Sequence, residues 1–215
     1  MAFKLELLSL AAATASLALV ASPALASAPY TVAFDGDTSG AGHTVTWVSR
    51  GDTRLLVNGN AYTCTSSQLT TSFYTGTNAT GNDIADVTAA TWTGCTFSGL
   101  VPVTVTATGP SWDLNATGGN TSTLDDSITG SLSNVAFHVD LNFGLGPCTY
   151  DVSGGLGDTF LEDNGTGDQE LDLTSSALTI SNVNNTFACL GLVNNGDALT
   201  IDGSYNVPGQ HVDVS

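Results

Sequence analysis

The segment VAFHVDLNF, residues 135–143, decides the fold class, because its apolar and polar residues alternate with a period of two. Valine, phenylalanine and leucine occupy the odd positions, and alanine, histidine, aspartate and asparagine occupy the even ones. Successive side chains of a β-strand point to opposite faces of a sheet. The pattern therefore predicts a strand with one buried and one solvated face.

The same alternation recurs along most of the chain, for example over residues 101–108 and 199–205. Turn-forming clusters of Gly, Asn and Asp separate these segments at 58–60, 118–120, 154–157 and 194–197. No segment after residue 26 has a helical period. The sequence predicts an all-β fold, an antiparallel β-sandwich of the immunoglobulin type or a related one, with a closed β-barrel as the alternative.

Three segments, 87–92, 132–137 and 173–178, carry apolar residues at both their first and last positions. An offset of five positions places two side chains on opposite faces of a regular strand. We therefore expect a bulge or bend in each segment that keeps both ends buried.

The N-terminus predicts export. Lys4 precedes an apolar run over residues 7–20, and Ala24-Leu25-Ala26, which fits the small-x-small cleavage pattern, follows Pro23. This order is typical of a signal peptide, and the apolar run is shorter than the roughly 20 residues of a membrane-spanning helix. We expect a signal peptide over residues 1–26 and a secreted all-β domain over residues 27–215, with no membrane insertion.

The charge of the chain restricts its partners. The sequence has 20 acidic residues and 3 lysines and arginines, a formal net charge of -17. Nucleic acids and anionic lipids require clustered cations, so this chain should bind neither. A small molecule, a glycan or a protein remains as a partner class.

Four cysteines, Cys64, Cys95, Cys148 and Cys189, in an exported chain predict two disulfides, for which three connectivities exist. Gly-Leu-Val follows Cys95 and Cys189 at similar short distances. This repetition favours pairing Cys64 with Cys95 and Cys148 with Cys189. It also suggests a degenerate duplication with halves near 30–117 and 120–215.

The N-terminal signal, the sparse cations and the cysteine pattern occur together with WDLNAT at residues 112–117 and CLGLVNNGD at residues 189–197. In these features the chain resembles a family of uncharacterised secreted all-β proteins of actinobacteria. The resemblance implies a bacterial exported β-protein, and it supplies no catalytic or binding residues.

A calcium site is one candidate function. Residues 35–40, DGDTSG, place acids at alternate positions before a glycine, as the opening of a calcium-binding loop does. The candidate ligands are Asp35, Asp37 and Ser39, and Thr46 stands where the loop's final glutamate would be. An ordinary acidic turn is the competing interpretation, and the segment 163–168 is a second candidate. Apart from calcium, no cofactor is expected.

Hydrolytic chemistry is the other candidate. His138 and Asp140 share the solvated face of one strand, and a serine hydrolase needs a histidine oriented by a carboxylate. No G-x-S-x-G nucleophile elbow is present. Paired acids for glycoside cleavage could come from Glu162, Asp163, Asp168, Glu170 and Asp172.

The sequence places no acid, base and nucleophile together. Trp47, Trp92 and Trp112 are expected in the core and not on a sugar-binding face. The sequence therefore favours a secreted, non-enzymatic extracellular or envelope protein that binds a ligand, a glycan or a protein. An extracellular hydrolase that uses scattered acidic residues or His138 is the alternative.

Overall fold

A computed structural model of the protein describes residues 30–78, 81–109, 111–118, 127–144, 146–163, 168–174, 177–184 and 187–214. Fourteen β-strands form the regular structure of these ranges, which contain no helix. The strands are β1 (Tyr30–Phe34), β2 (Gly42–Ser49), β3 (Thr53–Val57), β4 (Asn60–Tyr74), β5 (Gly76–Asn78), β6 (Ala85–Phe97), β7 (Val101–Ala107), β8 (Trp112–Gly118), β9 (Ser127–Asn142), β10 (Pro147–Asp163), β11 (Asp168–Leu173), β12 (Ala177–Asn184), β13 (Ala198–Pro208) and β14 (Val212–Val214).

The large sheet closes on itself as a ring that is eight strands in circumference. The long strands β4, β6, β9, β10 and β13 fill five of these eight positions. Each of the other three is filled by two short strands end to end, β2 with β3, β7 with β8, and β11 with β12. The final strand, β13, closes the ring by antiparallel pairing with β2 and β3. Neighbours in sequence are therefore also neighbours in the ring.

The interruption between β7 and β8 changes which side chains face inward. Val103 and Val105 of β7 are buried at odd positions, whereas Trp112 and Leu114 of β8 are buried at even ones. A one-residue slip would otherwise turn every apolar side chain toward water. This interruption therefore restores the inward face without removing the chain from the ring.

The bends expected in the first two apolar segments are present. Both ends of each of the three segments are buried: Val87 and Trp92, Leu132 and Phe137, and Leu173 and Leu178. The register of β6 on β4 shifts opposite residue 88, and Asn134 has a φ of 59°. These irregularities keep both ends of the first two segments inside, whereas residues 175 and 176 of the third segment lie outside the described residues.

Aromatic and aliphatic side chains fill the interior of the ring. The largest of those under 2% exposed are Trp47, Tyr62, Tyr150, Tyr205, Phe73 and Phe137. Burying one such side chain contributes about 1.5–3 kcal/mol. The expectation that the three tryptophans belong to the core is confirmed, since none is more than 8% exposed.

Polar contacts and disulfides cross-link the ring. The hydroxyl of Ser67 on β4 donates to the Tyr205 hydroxyl on β13 at 2.9 Å, and the Thr53 hydroxyl on β3 lies 2.6 Å from the Ser67 hydroxyl. The cysteines lie at disulfide distance in the expected pairs, Cys64 with Cys95 at 2.13 Å and Cys148 with Cys189 at 2.05 Å. Two such pairs are typical of extracellular proteins.

A separate three-stranded sheet, β14-β1-β5, which we call the cap sheet, lies beside the large one. Val32, Val212 and Val214 of this sheet are buried in the common core. The side-chain amide of Gln169 on β11 donates to the carbonyl of Val212 and so joins the cap sheet to the ring. We call the end of the ring that carries the cap sheet the cap end.

The all-β, antiparallel class expected from the sequence is confirmed, and a flattened sandwich and a barrel are both compatible with this ring. The segment 1–26 lies outside the described residues. Within the described ranges, no helix is long and apolar enough to cross a membrane. The proposed duplication stays a prediction.

Two glycines of similar backbone conformation offer a matched test of the packing at the cap end. Gly81 has a φ of 71°, and a Cβ there would lie 2.5 Å from the Ala116 carbonyl oxygen and 2.6 Å from the Tyr30 ring. Gly99 has a φ of 74° with nothing within 4 Å of its Cβ position. We expect Gly99→Ala to cost about 1 kcal/mol from backbone strain alone. Gly81→Ala should cost at least about twice that, measured by urea unfolding. Equal costs would contradict the packing of Tyr30 against Gly81.

Candidate functional site

The three candidate calcium ligands lie beside β1, and other protein groups contact both of their carboxylates. Asp37 accepts from the Ser39 backbone N–H at 2.9 Å and from the Ser39 hydroxyl at 3.2 Å, and its Oδ2 lies 3.0 Å from His43 Nε2. Asp35 accepts from the His211 backbone N–H at 3.1 Å. The hydrogen bonds from Ser39, and then the contact with His43, hold the pKa of Asp37 below its ordinary value. Calcium binding by Asp35, Asp37 and Ser39 stays a prediction.

The other acidic candidates do not form a described cluster. Residues 164–167 of the second calcium candidate, and the side chains of Glu162, Asp163 and Asp168, lie outside what the structure describes. Glu170 accepts a hydrogen bond from Arg50. Its role in the described part of the chain is therefore that of a partner for one of the few cations.

His138 pairs with Asp151 of the neighbouring strand and not with Asp140. Its Nδ1 lies 2.6 Å from Asp151 Oδ1, and Asn182 donates to Asp151 Oδ2 at 2.8 Å. These bonds, that of His138 first, lower the pKa of Asp151. Thr106 is the cross-strand neighbour of His138 on β7, but no hydroxyl of a described residue bonds the histidine. A hydrogen-bonded cross-strand pair on a solvated strand face accounts for this geometry.

Three carboxylates that the sequence did not single out meet near the cap end. Oxygen atoms of Asp83, Asp86 and Asp113 lie within 4.8 Å of one another, and we call this group the carboxylate cluster. Asp86 on β6 and Asp113 on β8 are cross-strand partners. Asp83 lies in the preceding turn with a φ of 53°. Carboxylate oxygens are ligands of hard cations, and these are the described acids that are close enough to share one.

Neighbouring donors hold the carboxylate cluster in place. The Tyr74 hydroxyl donates to Asp86 at 2.6 Å, and Asn134 donates to Asp113 at 2.9 Å. Burial and then the negative charges of Asp86 and Asp113 raise the pKa of Asp83. The hydrogen bond to Asp86 likewise raises the pKa of Tyr74. No local motif predicts this group, because it depends on the register between β6 and β8.

The opposite end of the ring gathers the turns at 58–59 and 98–100, the described residues 143, 144 and 146, and the loop 187–197, which together we call the loop end. Asn58 donates to Asp197 at 2.7 Å, and the Cys148–Cys189 disulfide fastens the loop to β10. The rings of Phe97 and Phe143 contact each other edge to face at 5.5 Å. These contacts join the four segments into one surface.

Apolar side chains protrude from the loop end. Leu100 is 85% exposed, Phe187 75% and Leu190 51%. Phe97, Phe143 and Leu192 lie partly buried against the core beneath them. Phe187 and Leu190 lie on one loop, and Leu100 lies on a turn at the same end of the ring. Exposed leucines are common singly, but apolar side chains gathered at one end of a molecule mark an interaction site.

The backbone at Leu190 is strained. Its φ of 55° lies in the left-handed region, where a leucine costs about 1–2 kcal/mol relative to glycine. The surrounding loop is nevertheless well braced, since Asp197 accepts from the Asn194 N–H at 2.7 Å and Asn195 accepts from the Val183 N–H at 2.9 Å. An exposed leucine held in a strained conformation by a rigid loop is a feature that accompanies function.

Acidic residues are sparse at the loop end. Asp197 is the one acidic residue in the sequence of the four loop-end segments, which contain no lysine, arginine or histidine. Its carboxylate bonds Asn58 and Asn194 within the surface. The described acids Asp35 and Asp37, together with the carboxylate cluster, belong to the cap end. An apolar surface with a single acid and a more acidic surface thus occupy opposite ends of the molecule.

Comparison of the chain with models of protein families, with curated proteins and with solved structures found no match. The resemblance to secreted actinobacterial proteins therefore stays an expectation. The geometry of the chain's own residues carries the functional argument.

The carboxylate cluster yields a prediction with a definite sign. Because the folded state raises the pKa of Asp83, it binds the proton more tightly than the unfolded chain, and stability falls as the pH rises through that pKa. In buffer with EDTA, Asp83→Asn should stabilise the protein at pH 7 by about 0.5 kcal/mol or less, since solvent screens these charges. This gain in stability should vanish below pH 3.8, which is the ordinary pKa of an aspartate.

Urea unfolding at several pH values measures this effect, and asparagine tolerates the left-handed φ of the position. Asp213→Asn, at an exposed residue of the cap sheet outside the carboxylate cluster, is the control. Destabilisation by Asp83→Asn at pH 7 would show that the three acids do not repel one another.

Proposed function

We propose that the protein is a secreted, non-enzymatic extracellular or envelope protein that binds a partner through its loop end. The observation that carries this proposal is the exposure of Leu100, Phe187 and Leu190 at one end of the ring, whose segments contain a single acid in a chain with a net charge of -17. Each side chain lies on a segment fastened to the ring, so binding requires little ordering of the loops.

The chemistry of the loop end defines the partner. Burying a leucine or phenylalanine contributes about 1.5–3 kcal/mol, and three on one surface are enough to offset part of the cost of association. Phe187 is the aromatic anchor of the patch, and aromatic residues dominate binding energy at interfaces. A surface with one internally bonded acid offers nothing to a cationic partner. The partner presents an apolar, uncharged surface of its own.

The secreted location of this activity rests on the N-terminal sequence and on the cysteine pairs. Both pairs lie at disulfide distance, and the Cys148–Cys189 pair secures the loop that carries Phe187 and Leu190. An oxidising compartment would preserve that bond. The Cys148–Cys189 pair therefore supports both parts of the proposal, because it secures the docking loop and is typical of extracellular proteins.

A hydrolase is the alternative, and the contact between His138 and Asp151 is the observation that favours it, because a carboxylate orients a catalytic histidine in this way. Turnover of ester, peptide or glycoside substrates that is lost in His138→Gln would contradict the non-enzymatic proposal. The loop end would then need another explanation.

Leu190→Asn separates binding from folding. Asparagine adopts a left-handed φ more easily than leucine, so we expect the free energy of unfolding to rise or stay unchanged. The same substitution removes an exposed apolar side chain, so binding of the hydrophobic dye ANS should fall. Phe187→Ser should reduce dye binding further without loss of stability.

Val48→Ser is the matched control, because Val48 is exposed on the side of the ring at 37% and lies outside the loop end. Dye binding that is reduced as much by Val48→Ser as by Phe187→Ser would place the apolar surface elsewhere. A loss of stability in Leu190→Asn would contradict the strain at residue 190.

A further inference from the structure

We infer that the loop end binds the loop end of a second copy of this chain, so that two molecules associate end to end. This inference rests on the proposed function and names the partner of the same surface. It follows from where the chain carries its charge and from how its apolar side chains are placed.

The charge distribution selects the orientation. Two molecules of net charge -17 repel each other over most of their surfaces. The loop end has a single acid, Asp197, whose carboxylate is held by Asn58 and Asn194, whereas the carboxylate cluster and the acids beside β1 lie at the cap end. End-to-end contact through the two loop ends places the acidic cap ends as far apart as the molecules allow. Such contact has less electrostatic repulsion than contact through the two cap ends.

The placement of the apolar side chains is suited to a two-fold contact. An interface between identical surfaces must be self-complementary, with each protruding group meeting a receptive region of the other copy. Leu100 and Phe187 protrude, being 85% and 75% exposed, while Phe97, Phe143 and Leu192 are partly buried on the same surface. Protruding tips and a lower apolar floor are therefore both present on one end.

A second copy explains the surface with fewer assumptions than other partners do. A cationic protein would bind the acidic cap end of this chain and not its loop end, and anionic lipid would repel the whole chain. An apolar, extracellular surface with little charge is what the proposed function requires of the partner, and this chain itself supplies one, since the only acid of its loop-end segments, Asp197, is bonded by Asn58 and Asn194. The rigid loop, braced by Asn195 and by the Cys148–Cys189 disulfide, also limits the ordering that association requires.

Sedimentation velocity of the oxidised full-length mature chain over a wide concentration range tests the inference. We expect a reversible monomer–dimer equilibrium whose dissociation constant falls when NaCl rises from about 0.1 M to about 1 M, because salt screens the remaining repulsion. Phe187→Ser with Leu190→Asn should raise the dissociation constant at least about 100-fold, since each substitution removes an apolar side chain from both copies. Val48→Ser should leave it unchanged.

The outcomes separate this inference from the proposed function. A chain that stays monomeric at all concentrations, yet binds ANS in a way that depends on Phe187, overturns the second copy as partner and leaves the loop end as a docking surface for another molecule. A monomer whose dye binding is insensitive to Phe187 and Leu190 overturns both. A dimer that persists in the double variant, or that Val48→Ser abolishes, places the interface elsewhere and overturns the inference.

Discussion

The pairing of the last long strand with the first two strands of the ring is the contact on which the rest of the structure depends. Ile201 on β13 is opposite Leu55 on β3, and both side chains are buried. Further along β13, Tyr205 is opposite Ser49 and accepts a hydrogen bond from Ser67. With this seam closed, each strand of the large sheet pairs on both sides. Closure protects the strand edges from pairing with other chains.

Closure also gives the molecule two chemically different ends. In an up-and-down ring, alternate connections lie at the same end, so turns far apart in sequence form one surface. The turns after β3, β6 and β9 and the loop after β12 meet at the loop end, where Phe187 and Leu190 are exposed. The cap sheet and the carboxylate cluster occupy the other end. The separation of apolar from acidic surface is thus a consequence of strand order.

Local patterns in the sequence were sufficient for the class of the fold. Alternation over residues 135–143 predicted the inward face of β9, and the echo of Gly-Leu-Val after Cys95 and Cys189 predicted the cysteine pairs that lie at disulfide distance. The bends near residues 88 and 134 also followed from the offset of buried residues. In each case the information lay within one strand or in a repeated short motif.

The sites could not be predicted in the same way. Asp83, Asp86 and Asp113 meet only because β6 and β8 pair in one register, and His138 contacts Asp151 because β9 and β10 do. Alternation shows which face a residue occupies but not which strand lies beside it. The sequence analysis singled out the segment 189–197 as a motif, but it did not predict that Leu190 is exposed. That exposure depends on the left-handed backbone conformation of Leu190, which a leucine in a sequence does not indicate.

Hydrogen exchange of the backbone amides tests the central claim, ring closure, most directly. If β13 pairs with β2 and β3, the amides of Leu55, Val57, Leu199 and Ile201 should exchange as slowly as those in the middle of β4 and β6, because all lie in hydrogen-bonded ladders within the core. Rapid exchange confined to β3 and β13, with β4 and β6 still protected, would mean that the sheet is open at this seam and that the four loops do not form a common end.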